Sequence, residues 1–362
     1  MTSSRHAPLE ITVKEAQRAQ QQGVALVDIR TTAELQAGAP EGSITLSVQD
    51  VLARVAAEPG WQCNILCAGG ARSLVLAARL RNLGSGAASS VAGGFERWMA
   101  AGLPVQATSS LKPEQNERYA RHLVMEQVGV EGQKKLLDSR VLLVGLGGLN
   151  SPAALYLAAA GVGTLGLLDD DRVERSNLQR QVLHGEQSVG LAKAQSARQR
   201  LSDLNPEVRT EVIEQRLDAA NAAFLVSDWD VIIDGTDNFP ARYALNQACF
   251  ESEKPLVYGA VMRFQGQVSV FWPASDPGRA PCLHCLLPEA ISEKDAPSCA
   301  QAGVLGVIPG IVGTLQATEA IKLLLGLGNP LIGELMMIDA LTMDFRKTKI
   351  HPSKTCPVCL PL

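Results

Sequence analysis

The longest stretch of patterned apolar sequence lies at residues 139–171, SRVLLVGLGGLNSPAALYLAAAGVGTLGLLDDD. Residues 141–144 form an apolar run short enough for a parallel strand buried on both faces. Gly145, Gly147 and Gly148 follow as a turn that lets backbone approach a phosphate closely. Ser151 suits an N-cap and Pro152 a first helical turn. Gly161 suits the left-handed end of that helix. Residues 165–168 read as a second strand, and Asp169 falls at its carboxyl end, where a ribose-binding acid belongs in a dinucleotide-type fold. Residues 141–168 carry no charge, but six glycines and Pro152 interrupt the run. That suits a buried strand–helix–strand unit better than a membrane span.

The same reading applies on either side. Residues 24–29 (VALVDI) and 64–66 predict strands, and the second runs into Cys67-Ala-Gly-Gly-Ala-Arg72-Ser73 and a helix over residues 74–83. A cysteine between a strand end and a helix start has backbone N–H groups directed at its sulfur, and the helix dipole favours an anion there. Arg72 adds positive charge nearby. Residues 106–115 (QATSSLKPEQ) are polar and read as a linker. From residue 116 a helical pattern with one charged face leads into the organising strand. Residues 229–235 (WDVIIDG) predict a further strand, with Asp237 at its end; Asp237 or Asn238 also suits a helix N-cap, and Arg242 and Asn246 suit a surface equally well.

Composition narrows the class. The chain has 362 residues, 46% hydrophobic and 19% charged, enough for about two domains and little sign of disorder. A net charge of −4 argues against sequence-independent nucleic-acid binding. The N-terminal MTSSRHAPLE lacks the apolar stretch of a signal peptide. Of the eight cysteines, four form Cys282-Leu-His-Cys285 and Cys356-Pro-Val-Cys359. Two such pairs suit tetrahedral Zn²⁺ joining distant segments, in a reducing, cytoplasmic setting. His284 is a weaker candidate ligand. Cys63 and Cys249 read as core.

The glycine turn alone also fits NAD or FAD, and an NAD-dependent oxidoreductase is the first alternative. Further chemistry favours a nucleoside triphosphate. Arg180 and Lys193 can neutralise phosphate charge, and a carboxylate facing phosphates, here Asp237, usually implies Mg²⁺ between them.

Two resemblances follow from these motifs. CxxGxR at residues 67–72, VAGGFERWMAAGLPV at 91–105 and the VDIR stretch resemble the rhodanese-like sulfurtransferase domain over residues 9–106, with a degenerate GAPEGSITLSV where that family usually has GHIPGA. The resemblance implies that Cys67 carries a persulfide. GLGGLNSP, LLDDD, SNLQRQ, GLAK and TDNFPARYALN resemble the ubiquitin-activating-enzyme (E1)-like family, and within it the adenylyltransferases that activate sulfur carriers of molybdopterin and thiamine biosynthesis. That resemblance implies an α/β chain: a rhodanese-like domain (1–106), a linker (107–115) and a Rossmann-like, doubly wound E1-type domain with structural zinc (116–362). It implies that Gly147 and Asp169 hold ATP, that Asn177, Arg180 and Lys193 contact phosphates, that Asp237, followed by Asn238, binds Mg²⁺, and that Arg121 reaches across a homodimer. Cys299 matches a crossover-loop cysteine that resolves an acyl-disulfide in some relatives; a structural role fits as well. The implied partners are a small ubiquitin-like sulfur carrier ending in Gly-Gly and a persulfide donor such as a cysteine desulfurase. One departure is Asn150, where the family usually has glycine; it keeps open a second alternative, a non-catalytic carrier-docking or sulfur-sensing protein.

Overall fold

A computed structural model describes residues 8–35, 37–58, 60–83, 88–106, 111–288 and 303–359. The chain divides into two compact units, residues 1–130 and 131–362.

In the first unit, β1 (Glu10–Ile11), β2 (Ala25–Asp28), β4 (Ile44–Thr45), β5 (Cys63–Leu66) and β6 (Ala88–Val91) form a parallel sheet in the order β1-β6-β5-β2-β4. β3 (Ala39–Pro40) and β7 (Val105–Gln106) pair separately and antiparallel. The central strands read CNIL and ALVD and are almost wholly buried, as a sheet covered on both faces requires. Two of the helices begin with reciprocal capping boxes, Thr12 with Glu15 and Ser47 with Asp50. Asp28 ends β2 buried and pairs with buried Arg30 at 2.6 Å; the Arg30 guanidinium lies 3.6 Å from the Phe95 ring centroid. The helical pattern read from residue 116 is realised as three pieces, Pro113–Arg118, Ala120–Leu123 and Gly129–Asp138, the first of them starting earlier and taking in residues 113–115 of the expected linker.

The second unit is built on an eight-stranded sheet. Its strands are β8 (Arg140–Val144), β9 (Thr164–Leu168), β10 (Arg209–Ile213), β11 (Val231–Asp234), β12 (Leu256–Met262), β13 (Gln265–Phe271), β14 (Glu334–Asp339) and β15 (Asp344–Lys349). The order is β10-β9-β8-β11-β12-β13-β14-β15, parallel as far as β12 and antiparallel beyond it. The chain winds outward from β8 to β10, then returns to β11 on the other side of β8. The carboxyl ends of β8 and β11 therefore face the crevice of a topological switch point.

The first crossover helix is Asn150–Ala160, ended by Gly161 at φ 83°. Ser151 is not its N-cap: it lies inside the first turn with its Oγ buried and unpartnered. The helix Val307–Leu325 is long and apolar enough to span a membrane by length and composition. It packs instead against Asn150–Ala160 and strands β11, β12 and β13, and it carries buried Glu319, ion-paired to Lys322 at 2.7 Å.

Candidate functional sites

At the switch point the two strand-end turns touch. Gly145 has φ 77°, and a Cβ there would lie 2.9 Å from the Gly235 carbonyl oxygen, so only glycine fits. Asp169, just past β9, accepts hydrogen bonds from the Leu146 amide at 2.6 Å and the Asp171 amide at 2.8 Å. It thus anchors the glycine turn as well as facing the crevice. Burial pushes its carboxyl up from the ordinary range, and Lys193 opposes that shift. Lys193 is itself buried, with Nζ 2.9 Å from Asp171 and 4.0 Å from Asp169. His184 clamps the other side of the turn: one ring nitrogen is 3.0 Å from the Leu146 carbonyl oxygen and the other 2.9 Å from Ser196 Oγ. Burial holds its pKa below the ordinary histidine range, so it is neutral at pH 7.

A cleft of about 580 Å³ opens over these turns. Gly145, Gly147, Gly148, Asp169, Arg180, Lys193, Asp237 and Asn238 all line it. Asn177 is not among the lining residues; its Nδ2 lies 3.4 Å from Ser176 Oγ. Asn238, rather than Asp237, caps the helix Phe239–Glu251, accepting from the Ala241 amide at 3.0 Å. Asp237 is left exposed among the residues that line the cleft.

Arg242 and Asn246 are buried, not surface. Arg242 donates to the carbonyls of Thr236 at 2.9 Å and Gly259 at 3.0 Å, and its Nε lies 3.6 Å from the fully buried Asp234. Arg242 lines the cleft, with Asp234 buried behind it, and the pair was missed from sequence. The signal was there: an acid ending an apolar strand, followed by an arginine one turn into the next helix. Asn246 Oδ1 accepts from the Leu283 amide at 2.8 Å and so ties that helix to the first cysteine pair.

Asn150 does not line the cleft. It is fully buried, and its Nδ2 donates to the carbonyls of Val144 at 3.0 Å, Gly145 at 2.7 Å and Ile233 at 3.4 Å. The side chain straps β8 to β11 beneath the two turns. Asn150→Asp, which sets a carboxylate against these carbonyls, is expected to destabilise the chain by about 3 kcal/mol or more in urea unfolding. An unchanged midpoint would refute the strap.

The four cysteines of the two CxxC pairs converge. Their sulfurs all lie within 4.8 Å of one another, with Cys282 to Cys356 at 3.5 Å and Cys285 to Cys359 at 3.4 Å. Thiolates this close repel unless a cation holds them. His284 is turned to Tyr243, ring centroids 4.8 Å apart, and is not in the cluster. Cys299 lies outside the described residues.

In the first unit Cys67 follows β5 and is 1% exposed. Its Sγ accepts from the amides of Gly70 at 3.2 Å and Ser73 at 3.4 Å, and Ser73 Oγ is 3.4 Å away. Burial alone would raise the thiol pKa; the bonds from Ser73, Gly70 and the Arg72 amide outweigh it, and the thiol falls below its ordinary range. The guanidinium of Arg72 ion-pairs with Glu34 and holds that carboxyl down to about 2. A Cβ on Gly94, at φ 55°, would fall 2.1 Å from the Cys67 carbonyl oxygen, which fixes glycine in the GG of VAGG. Cys63 and Cys249 are buried in core, with thiols pushed up by burial, Cys63 to about 11. Arg121 is exposed on the short helix Ala120–Leu123 of the first unit.

A Rossmann-type unit with a phosphate-ready cleft and a four-cysteine cluster, joined in one chain to an activated-cysteine loop, defines an E1-type nucleotide-binding protein with a rhodanese-like domain. The chain belongs to the ThiF family, which matches residues 119–358, and residues 12–101 match the rhodanese-like domain. It is 50% identical over 252 residues to the "SAMP-activating enzyme E1" of Haloferax volcanii, covering 70% of this chain and 92% of that one. It is 47% identical to the "Sulfur carrier protein adenylyltransferase" of Thermus thermophilus (68% and 91% covered). It is also 47% identical to the "Probable adenylyltransferase/sulfurtransferase MoeZ" of Mycobacterium tuberculosis (72% and 67% covered). Among solved structures, E. coli MccB with MccA-N7isoASN shares the fold at TM-score 0.59 and 22% identity, over 69% of this chain and 77% of that one. Membership of the ThiF family sets aside the oxidoreductase reading.

Proposed function

We propose that this chain adenylates the C-terminal glycine of a small ubiquitin-like sulfur carrier and then transfers sulfur to it. The observation that carries the reading is the cleft in which Asp169, Lys193, Arg180 and Asp237 surround a glycine turn at the switch point. ATP is the nucleotide such a cleft fits. The glycine-turn amides suit phosphate oxygens, Asp169 suits the ribose, and Lys193 and Arg180 neutralise the charge that builds on the leaving pyrophosphate. A carrier carboxylate oxygen attacks the α-phosphorus, and the bond to the bridging oxygen of the β-phosphate breaks. Asp237 is the residue that would hold Mg²⁺, which supplies charge neutralisation to the phosphates. Arg121 completes the site from a second copy in a homodimer, and Asn177 orders the loop that carries Arg180.

The outer sulfur of a Cys67 persulfide, charged by a donor such as a cysteine desulfurase, then attacks the acyl carbon and displaces AMP. A thiol, for which Cys299 is the candidate, attacks the Cys67 sulfur, forms a disulfide and releases the carrier thiocarboxylate. Joining both domains in one chain raises the local concentration of persulfide. The small subunit of molybdopterin synthase is the carrier we place first, in a cytoplasmic setting. The cleft is intact beside Asn150, which removes the motive for a vestigial, purely docking protein.

ATP–pyrophosphate exchange with a panel of Gly-Gly-ended carriers tests the reading. Exchange with one carrier supports adenylation and identifies the pathway; no exchange with any, while Cys67 still moves sulfur from thiosulfate to cyanide, overturns it.

The thiolate cluster suits Zn²⁺, which supplies a cross-link between the two chain segments. Metal analysis is expected to find about one zinc per chain. Cys356→Ser should cost about 4 kcal/mol and lower the melting temperature by about 8–16 °C. An unchanged melting curve would defeat the structural role.

A further inference from the structure

We propose that Ser90, acting through Ser73, is a positioning residue for Cys67: the two hydroxyls form a relay that turns its protons toward the sulfur when the sulfur becomes an anion. The proposal rests on the reading of Cys67 as the sulfur-carrying residue. Both serines are fully buried. Ser73 Oγ is 3.4 Å from Cys67 Sγ, 2.9 Å from the Gly70 carbonyl oxygen and 2.9 Å from Ser90 Oγ. Ser90 Oγ is also 3.5 Å from the Gly70 carbonyl oxygen.

Each hydroxyl has one proton to donate. Beside a neutral thiol, a weak acceptor, the Ser73 proton belongs on the Gly70 carbonyl. When the thiol loses its proton to water, or when the S–S bond of a persulfide breaks and leaves its electron pair on Sγ, the sulfur becomes the stronger acceptor. Ser73 then turns to Sγ. Ser90 supplies the compensating proton to Ser73 Oγ, while the Gly70 carbonyl keeps the Leu74 amide, which donates to it at 3.1 Å. No buried group is left unpaired in either state, which is what makes the anion accessible in so closed a site.

The charged groups around Cys67 are Arg72, ion-paired with Glu34; Glu96, whose carboxylate lies 3.8 Å from where a Gly69 Cβ would sit; and the buried Asp28–Arg30 pair at the end of the neighbouring strand. Each cation is engaged by a carboxylate, but the Arg72 side chain also interacts directly with Cys67, so the hydroxyls and amides act beside its charge.

The test is the ultraviolet absorbance of the thiolate across pH in the full chain, each variant corrected by its own Cys67→Ser counterpart. Ser90→Thr and Ser90→Val have nearly the same shape and differ in the hydroxyl. Ser90→Thr is expected to titrate with wild type, and Ser90→Val and Ser90→Ala about half to one pH unit higher. Matching midpoints for Thr and Val would overturn the relay. If wild type moves no sulfur from thiosulfate to cyanide, while the Thr–Val shift persists, the relay stands and the sulfurtransferase reading fails.

Discussion

Lys193→Ala is expected to lower carrier-dependent ATP–pyrophosphate exchange about a hundred-fold or more, the usual cost of removing one preorganised charge from a water-poor site. Its Nζ stands 2.9 Å from Asp171 and 4.0 Å from Asp169, on a helix that starts at Lys193 itself. Nucleotide phosphates entering the cleft would take over a cation already held there by two carboxylates, so little reorganisation is needed. The loss has a second source. Without the lysine, Asp169 keeps its burial and loses the charge that opposes it, and Asp169 also holds the Leu146 amide of the glycine turn. Lys193→Met keeps the apolar stem and removes only the charge. Comparing it with Lys193→Ala separates packing from electrostatics: equal loss of exchange in the two assigns the effect to the charge. Exchange at the wild-type level in either variant would sink the adenylation mechanism.

Cys67→Ser is expected to abolish transfer of sulfur to the carrier, by about a thousand-fold or more as for other covalent nucleophiles, and to leave pyrophosphate exchange within about twofold of wild type. The split follows from the architecture, because Cys67 and the nucleotide cleft belong to separate compact units. The serine fits the same cradle of amides, but its alkoxide is far less accessible than a thiolate at neutral pH and it forms no persulfide. Residual transfer would mean that sulfide or another persulfide attacks the adenylate directly. Loss of exchange would mean that adenylation depends on Cys67, and the assignment of the two activities to separate units would fall.

Much of the site was legible because turns and metal pairs are local. Gly145 to Gly148, Asp169 and Lys193 sit at fixed offsets from strand and helix boundaries, and these boundaries show as apolar runs. The cysteine pairs are legible for the same reason. What escaped depends on which face of an element meets the sheet. Arg242 and Asn246 lie on a helix with only weak amphipathic contrast, so their burial could not be read from periodicity. Asp234 falls within the strand read over residues 229–235, where nothing in the strand itself signals that its carboxylate is wholly buried. Ser73 and Ser90 are 17 residues apart and meet only because β6 lies beside β5. Asn177 shows the converse: its motif marked it, but the loop places its side chain outside the cleft lining. The helical pattern read from residue 116 is interrupted at Tyr119 and again after Leu123, where local hydrogen bonds end each short piece.

The Asn150 strap also binds the mutational fates of two distant positions. A Cβ on Gly235 would lie 2.4 Å from Asn150 Nδ2, so Gly235 cannot become alanine while the asparagine is present. Replacing Asn150 by glycine would lift that clash but leave a second one, because the same Cβ would also lie 2.9 Å from the Gly145 carbonyl oxygen. Position 235 is therefore held to glycine from two sides, by the strap and by the backbone of the neighbouring turn, and a change at position 150 relaxes it only in part.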